Sequence, residues 1–185
     1  MTAYMLDTNV FNELLDGHIS IDAFRGLRLV ATHVQLDEVR ATKNPARAAD
    51  LRSAFEEIAP TMGSTASAFP DVSNWDQSSW TDDGVADRML ARLNQLNAAA
   101  RKKHRDPNNP IRDVLIADTA IRTNATLITD DEQLRGLVSE FGGRAISTSD
   151  IKQGYARVRW KVGLPTLDCG LHLLGSLFFL GRLVV

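Results

Sequence analysis

Tyr4-Met5-Leu6-Asp7-Thr8-Asn9 opens the chain with a short apolar run closed by a carboxylate, and Thr126-Leu127-Ile128-Thr129-Asp130-Asp131 ends the same way far downstream. Two further acids stand at comparable places. Glu38 lies just past Arg28-Leu29-Val30-Ala31-Thr32, and Asp113 opens the apolar stretch Val114-Leu115-Ile116-Ala117. In an open α/β sheet the carboxyl ends of the strands face one crevice, where ligands bind. Carboxylates gathered there repel one another unless something positive sits between them. The simplest candidate is a hard divalent cation, because Mg²⁺ and Mn²⁺ prefer oxygen ligands.

Working outward from those runs, the pattern predicts strands at 4–6, 27–32, 126–129 and 144–147. Helices are expected at 10–16, 34–41, 44–59, from 82 or 83 to about 105, at 113–122 and at 132–141. Thr8 or Asn9 is expected to cap the first helix, and Gly17 to stop it. Asn44-Pro45 is a strong helix start. The 113–122 helix is apolar enough to be buried on more than one side. Thr61 to Ser79, rich in Ser, Thr, Asp and Pro, reads as a surface loop pinned by Trp75, Trp80 or both. Strands alternating with helices imply an α/β three-layer sandwich with a central, mainly parallel sheet of four to five strands. The domain expected is 1–150, followed by an extension at 151–185 that turns rich in Leu, Gly and Phe from about Lys161. Its apolar stretch is shorter than the roughly 20 residues of a membrane span and is interrupted by Arg182, so no membrane role is expected.

The chain has 185 residues, is 44% hydrophobic and 24% charged, and carries a formal net charge of −2, so nucleic-acid binding would have to rest on local basic patches or on bound metal. The single Cys169 excludes an internal disulfide and a Cys-rich zinc site. His18, His33, His104 and His172 form no metal-spaced pair. The start of the chain does not read as an export signal, and a cytoplasmic location is expected.

Four pieces in order resemble the PIN-domain ribonucleases, in particular the toxins of VapC-type toxin–antitoxin pairs. They are Leu6-Asp7-Thr8-Asn9, Leu36-Asp37-Glu38-Val39, Arg112-Asp113-Val114-Leu115-Ile116-Ala117-Asp118-Thr119-Ala120 and Leu127-Ile128-Thr129-Asp130-Asp131. The resemblance spans about residues 4 to 150. It implies RNA cleavage dependent on one or two Mg²⁺ or Mn²⁺ ions, and inhibition by a cognate antitoxin; a homodimer is a further possibility. It selects Glu38 over the adjacent Asp37 and Asp131 over Asp130. The segment between Glu38 and Asp113 looks longer than in compact members of that family, and the tail after Lys161 has no counterpart among them.

Asp7, Glu38, Asp113 and Asp131 are therefore the expected metal-binding and catalytic acids, with Thr8, Asn9 and Thr129 holding them in place. For Asp7 the plain alternative is a helix N-cap or a loop acid, and for Asp113 a first-turn acid favoured by the helix dipole. Asp118, five residues after Asp113, is expected to be peripheral, reaching a metal at most through water. Arg40, Lys43, Arg101, Lys102, Lys103, Arg105 and Arg112 are candidate RNA contacts, with Arg47 able to flank the same crevice. The alternative for 101–105 is a solvated helix end.

Three other readings compete. A phosphatase on a doubly wound sheet would want a second acid two residues after the first, where Asn9 stands; a receiver-type phosphotransferase would want a Lys at a late strand end, where Thr129-Asp130-Asp131 offers none. A catalytically silent module of the same fold would bind RNA or protein without cutting, and a housekeeping RNA-processing nuclease would carry the same acids.

Overall fold

A computed structural model describes residues 2–58, 60–70, 72–74, 76–81, 83–100 and 106–154. The chain runs β1 (Ala3–Leu6), α1 (Thr8–Leu15), a 3-10 turn (Ile21–Phe24), β2 (Arg28–Thr32), α2 (His33–Arg40), α3 (Pro45–Ile58), β3 (Thr61–Gly63), α4 (Val85–Ala99), α5 (Asn109–Arg122), β4 (Thr126–Ile128), α6 (Glu132–Glu140) and β5 (Arg144–Ile146). A helical stretch at 148–154 follows. The sheet order is β3-β2-β1-β4-β5 and every neighbouring pair is parallel.

The strands are short apolar runs whose alternate residues serve opposite faces. Met5 and Leu127 enter one core with Met89 and Leu93 of α4, Val114 to Ala117 of α5, and Leu134, Leu137 and Val138 of α6. Leu6 and Ile128, their chain neighbours, enter the other with Val10 and Phe11 of α1 and Leu51 and Phe55 of α3. A parallel sheet covered on both faces is the consequence, and α5 is buried continuously from Val114 to Ala120. Ile151 joins the second core, so packed chain continues past residue 150; the tail from 155 lies outside the described residues. Gly143 shows how closely α6 and β5 approach α5: a Cβ there would stand 2.6 Å from Ile121 and 2.8 Å from Val138.

One expected element is corrected. The segment expected as loop from Thr61 begins with a fifth strand, Thr61–Gly63, paired with Val30 to Thr32. All three residues are exposed, so no apolar alternation marks them, and the free edge of β2 supplies the pairing. Asp118 is fully buried. Its carboxylate accepts the Ser67 hydroxyl at 2.6 Å and the Arg122 Nε–H at 2.8 Å, while Arg122 also grips Asp83 with contacts of 2.8 Å. Thr119 receives the Ala66 N–H at 3.0 Å. These bonds, with Phe69 and Val72 packed on the first core, fasten the segment from 65 to 83 to α5. Trp80 is instead 67% exposed, and Trp75 lies outside the described residues.

Asp118→Ala should therefore lower the unfolding free energy by about 2–3 kcal/mol in urea titrations, since it strips partners from a buried carboxylate site while Arg122 retains Asp83. Proteolysis between 64 and 83 should speed up in the same variant. An unchanged urea midpoint with unchanged proteolysis would remove Asp118 as the fastening.

Candidate active site

The strand order reverses at β1, with β2 on one side and β4 on the other. Chain leaving β1 and chain leaving β4 thus diverge, opening a crevice at their carboxyl ends. Asp7 follows β1 directly, and Asp131 follows β4 after Thr129 and Asp130. Glu38 arrives from α2 and Asp113 from the first turns of α5. All four acids line one cavity of about 270 Å³, together with Thr8, Asn9, Asn12, Thr42 and Asn109 among others.

Asp7 sits at the N-cap position of α1, where Thr8 or Asn9 was expected, yet its side chain makes no capping bond. It turns into the cavity, 3% exposed. There its Oδ2 accepts the Thr129 hydroxyl at 2.6 Å and the Asn9 amide at 3.3 Å. Burial pushes the Asp7 carboxyl above the ordinary 3.8; Thr129 and the Thr8 N–H pull it down less strongly, and the charge of Asp131 adds to the rise. Thr129 also accepts the Asp131 N–H at 3.1 Å, so one hydroxyl joins the ends of β1 and β4.

Asp131 does cap its helix: Oδ1 accepts the N–H groups of Gln133 at 2.9 Å and Leu134 at 3.1 Å. Its carboxylate is both helix cap and cavity wall. Asp130 points elsewhere and accepts the Thr148 N–H at 2.9 Å and its hydroxyl at 2.5 Å, fixing the start of the 148–154 helix. Glu38 accepts the Thr8 hydroxyl. Burial raises the Glu38 carboxyl above its ordinary 4.5, the Asp7 charge adds to this, and Arg112 partly offsets it. Asp113 is half-buried, with Asn109 one turn before it on the cavity side of α5.

Every acid and every hydroxyl or amide in this wall offers oxygen, and among the described residues neither His nor Cys lines the cavity. Among the described residues no group of three or more Asp, Glu, His or Cys side chains is placed to hold a metal ion. By donor chemistry alone the oxygen-lined wall suits a hydrated hard cation rather than zinc, since Mg²⁺ retains several waters and takes one or two carboxylates directly.

None of the described basic candidates is among the residues lining the cavity. Arg112 donates to Asp106 at 2.7 Å and to Asn109, a residue of the cavity wall, at 3.1 Å. Arg40 is exposed beside Asp37 at 3.7 Å, and Lys43 is exposed. Arg47 forms a two-pronged pair with Asp16 and reaches the cavity only through Asn12, at 2.9 Å. Arg101, Lys102, Lys103, His104 and Arg105 lie outside the described residues, as does His172. His18 pairs with Glu13, and His33 is buried with neither ring nitrogen hydrogen-bonded. Sequence reading passed over Asn12 and Asn109. Helical spacing was the signal available for both: Asn12 is four residues after Thr8, and Asn109 four before Asp113.

Solved structures similar to this chain include VapBC2 from Rickettsia felis bound to a DNA fragment from its promoter, at 15% identity, covering 79% of this chain and 98% of that one, TM-score 0.44. VapBC-5 from Mycobacterium tuberculosis, a member of the VapBC family of toxin–antitoxin systems, is similar at 25% identity, with coverage of 80% and 98% and TM-score 0.39. VapBC-1 from nontypeable Haemophilus influenzae is similar at 18% identity, with coverage of 80% and 99% and TM-score 0.43. No family model and no curated sequence matches the chain.

Because the folded state holds the Asp7 carboxyl above its ordinary value, ionising it costs stability. Below pH 3.8 the acid is protonated folded or unfolded, and no cost arises. The cost grows as pH rises from there to the folded value. Metal-free Asp7→Asn should accordingly melt higher than the parent at neutral pH, with the difference shrinking as pH is lowered toward 4. Thermal melts across that range check this, and a variant less stable than the parent at every pH would contradict it.

Proposed function

We propose that this protein is a metal-dependent endoribonuclease of the PIN-domain kind, acting as the toxin of a toxin–antitoxin pair. The observation that carries the reading is the convergence of Asp7, Glu38, Asp113 and Asp131 from four separate segments on one oxygen-lined cavity at the sheet's switch point. Asp7 and Glu38 are costly to ionise there, because burial and repulsion between carboxylates both work against their charged forms.

When bound, Mg²⁺ or Mn²⁺ supplies charge neutralisation at a phosphate and activation of water. Asp7 and Asp113 would hold it, with Glu38 and Asp131 completing the acidic wall through direct or water-mediated contact. Thr129 and Asn9 fix the Asp7 carboxylate, and Thr8 fixes Glu38. Glu38, whose carboxyl is raised, is suited to accept a proton from the attacking water. Water oxygen joins phosphorus, the 3′-oxygen leaves with a proton, and the products carry a 5′-phosphate and a 3′-hydroxyl. Arg112, Arg40 and Lys43 would supply the local positive charge that an RNA backbone needs on a chain of net charge −2. The antitoxin partner follows from the sequence resemblance. The competing reading, a catalytically silent binding module, draws support from the lack, among the described residues, of a group of three or more Asp, Glu, His or Cys side chains placed to hold a metal ion.

One assay separates the two. Purified protein is incubated with total RNA and Mn²⁺ or Mg²⁺, in parallel with EDTA and with Asp113→Asn. Discrete fragments with 5′-phosphate ends that vanish in both controls are expected, with Asp113→Asn at least about a hundredfold slower. Products ending in 2′,3′-cyclic phosphate would require attack by the ribose 2′-hydroxyl and would sink the mechanism. Absence of cleavage by the folded protein with every metal would favour the binding module.

A further inference from the structure

Gln35 is a polar side chain with no surface exposure at all, set between the middle strand and the helix that carries Glu38. Its amide is completely directed. Oε1 accepts the Thr32 N–H at 2.9 Å and the Thr32 hydroxyl at 2.6 Å. Nε2 donates to the Leu6 carbonyl at 3.0 Å. Leu6 is the last residue of β1, and its carbonyl belongs to the peptide that leads into Asp7. Glu38 stands three residues after Gln35, on the adjoining part of the same helix face. One side chain therefore joins the peptide preceding the first acid to the first turn of the helix bearing the second.

Other bonds meet here as well: the Asp7 N–H donates to the Ile128 carbonyl at 3.0 Å, and the Asn9 amide of α1 reaches the Asp7 carboxylate at 3.3 Å. These tie Asp7 to β4 and α1, whereas Gln35 ties the end of β1 to the start of α2, the helix that brings Glu38. The Gln35 donor holds the peptide, and its acceptor closes the start of α2 on Thr32.

We infer that Gln35 is a positioning residue that sets the separation of Asp7 and Glu38, and thereby the affinity of the cavity for a divalent cation. The inference rests on the metal-site reading above. Gln35 lines no part of the cavity, and it acts only through the two carboxylates.

The test is Mn²⁺ binding by titration calorimetry on the full chain, at a temperature where circular dichroism shows every variant folded. Gln35→Leu removes all three bonds. Gln35→Glu keeps the acceptor for Thr32 and sets a carboxylate oxygen against the Leu6 carbonyl in place of the donor, so it breaks the link to β1 while the helix start stays closed. Met89→Ala, in the opposite core and away from the cavity, is the control for general loss of stability. Ten- to hundredfold weaker Mn²⁺ binding is expected for both Gln35 variants, the range seen when groups that orient metal ligands are removed, with Met89→Ala binding like the parent. Gln35→Glu decides the matter if Gln35→Leu does not fold. Parent-like binding by the Gln35 variants would overturn the positioning role while leaving the metal site standing. Failure of the parent itself to bind Mn²⁺ would overturn the metal site, and this inference with it.

Discussion

The structure turns on a carboxylate held where water can barely reach it. Asp7 lies at the end of the central strand, between the two halves of the sheet, and almost none of its surface is exposed. An acid so placed is costly in the absence of compensating charge. Three donors around it reduce that cost: the Thr129 hydroxyl, which also takes the Asp131 N–H, the Thr8 N–H and the Asn9 amide. None brings a positive charge. The arrangement keeps an anion in place without neutralising it, which is what a cation-binding wall requires and what a purely structural core would avoid.

The same logic distinguishes the two buried aspartates. Asp118 is paired with Arg122 and hydrogen-bonded to Ser67, and its job is to fasten a long connection onto α5. Among the described residues no cation hydrogen-bonds Asp7, and it faces other acids across a cavity. Burial alone therefore identifies neither as functional; the partners do. Asp131 combines both characters, since its carboxylate caps α6 while forming part of the cavity wall. For this residue the capping role and the site role are compatible rather than rival.

Much of this was legible in the chain. Apolar runs closed by Asp or Thr announced β1, β2 and β4, and alternation with helices announced a parallel sheet. The four acids could be picked out because each follows or opens such a run, and the sheet order brings them to one crevice. What escaped depended on partners remote in sequence. β3 has no apolar residue turned inward and exists because β2 has an edge to offer. Helical phase set Asp118 apart from Asp113, but its bond to Ser67, 51 residues away, had no local signal. Gln35 is an unremarkable polar residue until Leu6, 29 residues away, is seen to meet it. Local pattern specifies faces and ends; it does not specify which side chain bridges two of them.

The central claim is that the acids at the switch point hold a divalent cation. Crystals of the full chain soaked in Mn²⁺ and measured at the manganese absorption edge test it directly. The account predicts an anomalous peak within about 2.2 Å of an Asp7 carboxylate oxygen, with Asp113 in direct or water-mediated contact and water completing the shell. Manganese bound elsewhere on the molecule, with the cavity between Asp7, Glu38, Asp113 and Asp131 showing no peak, would contradict it.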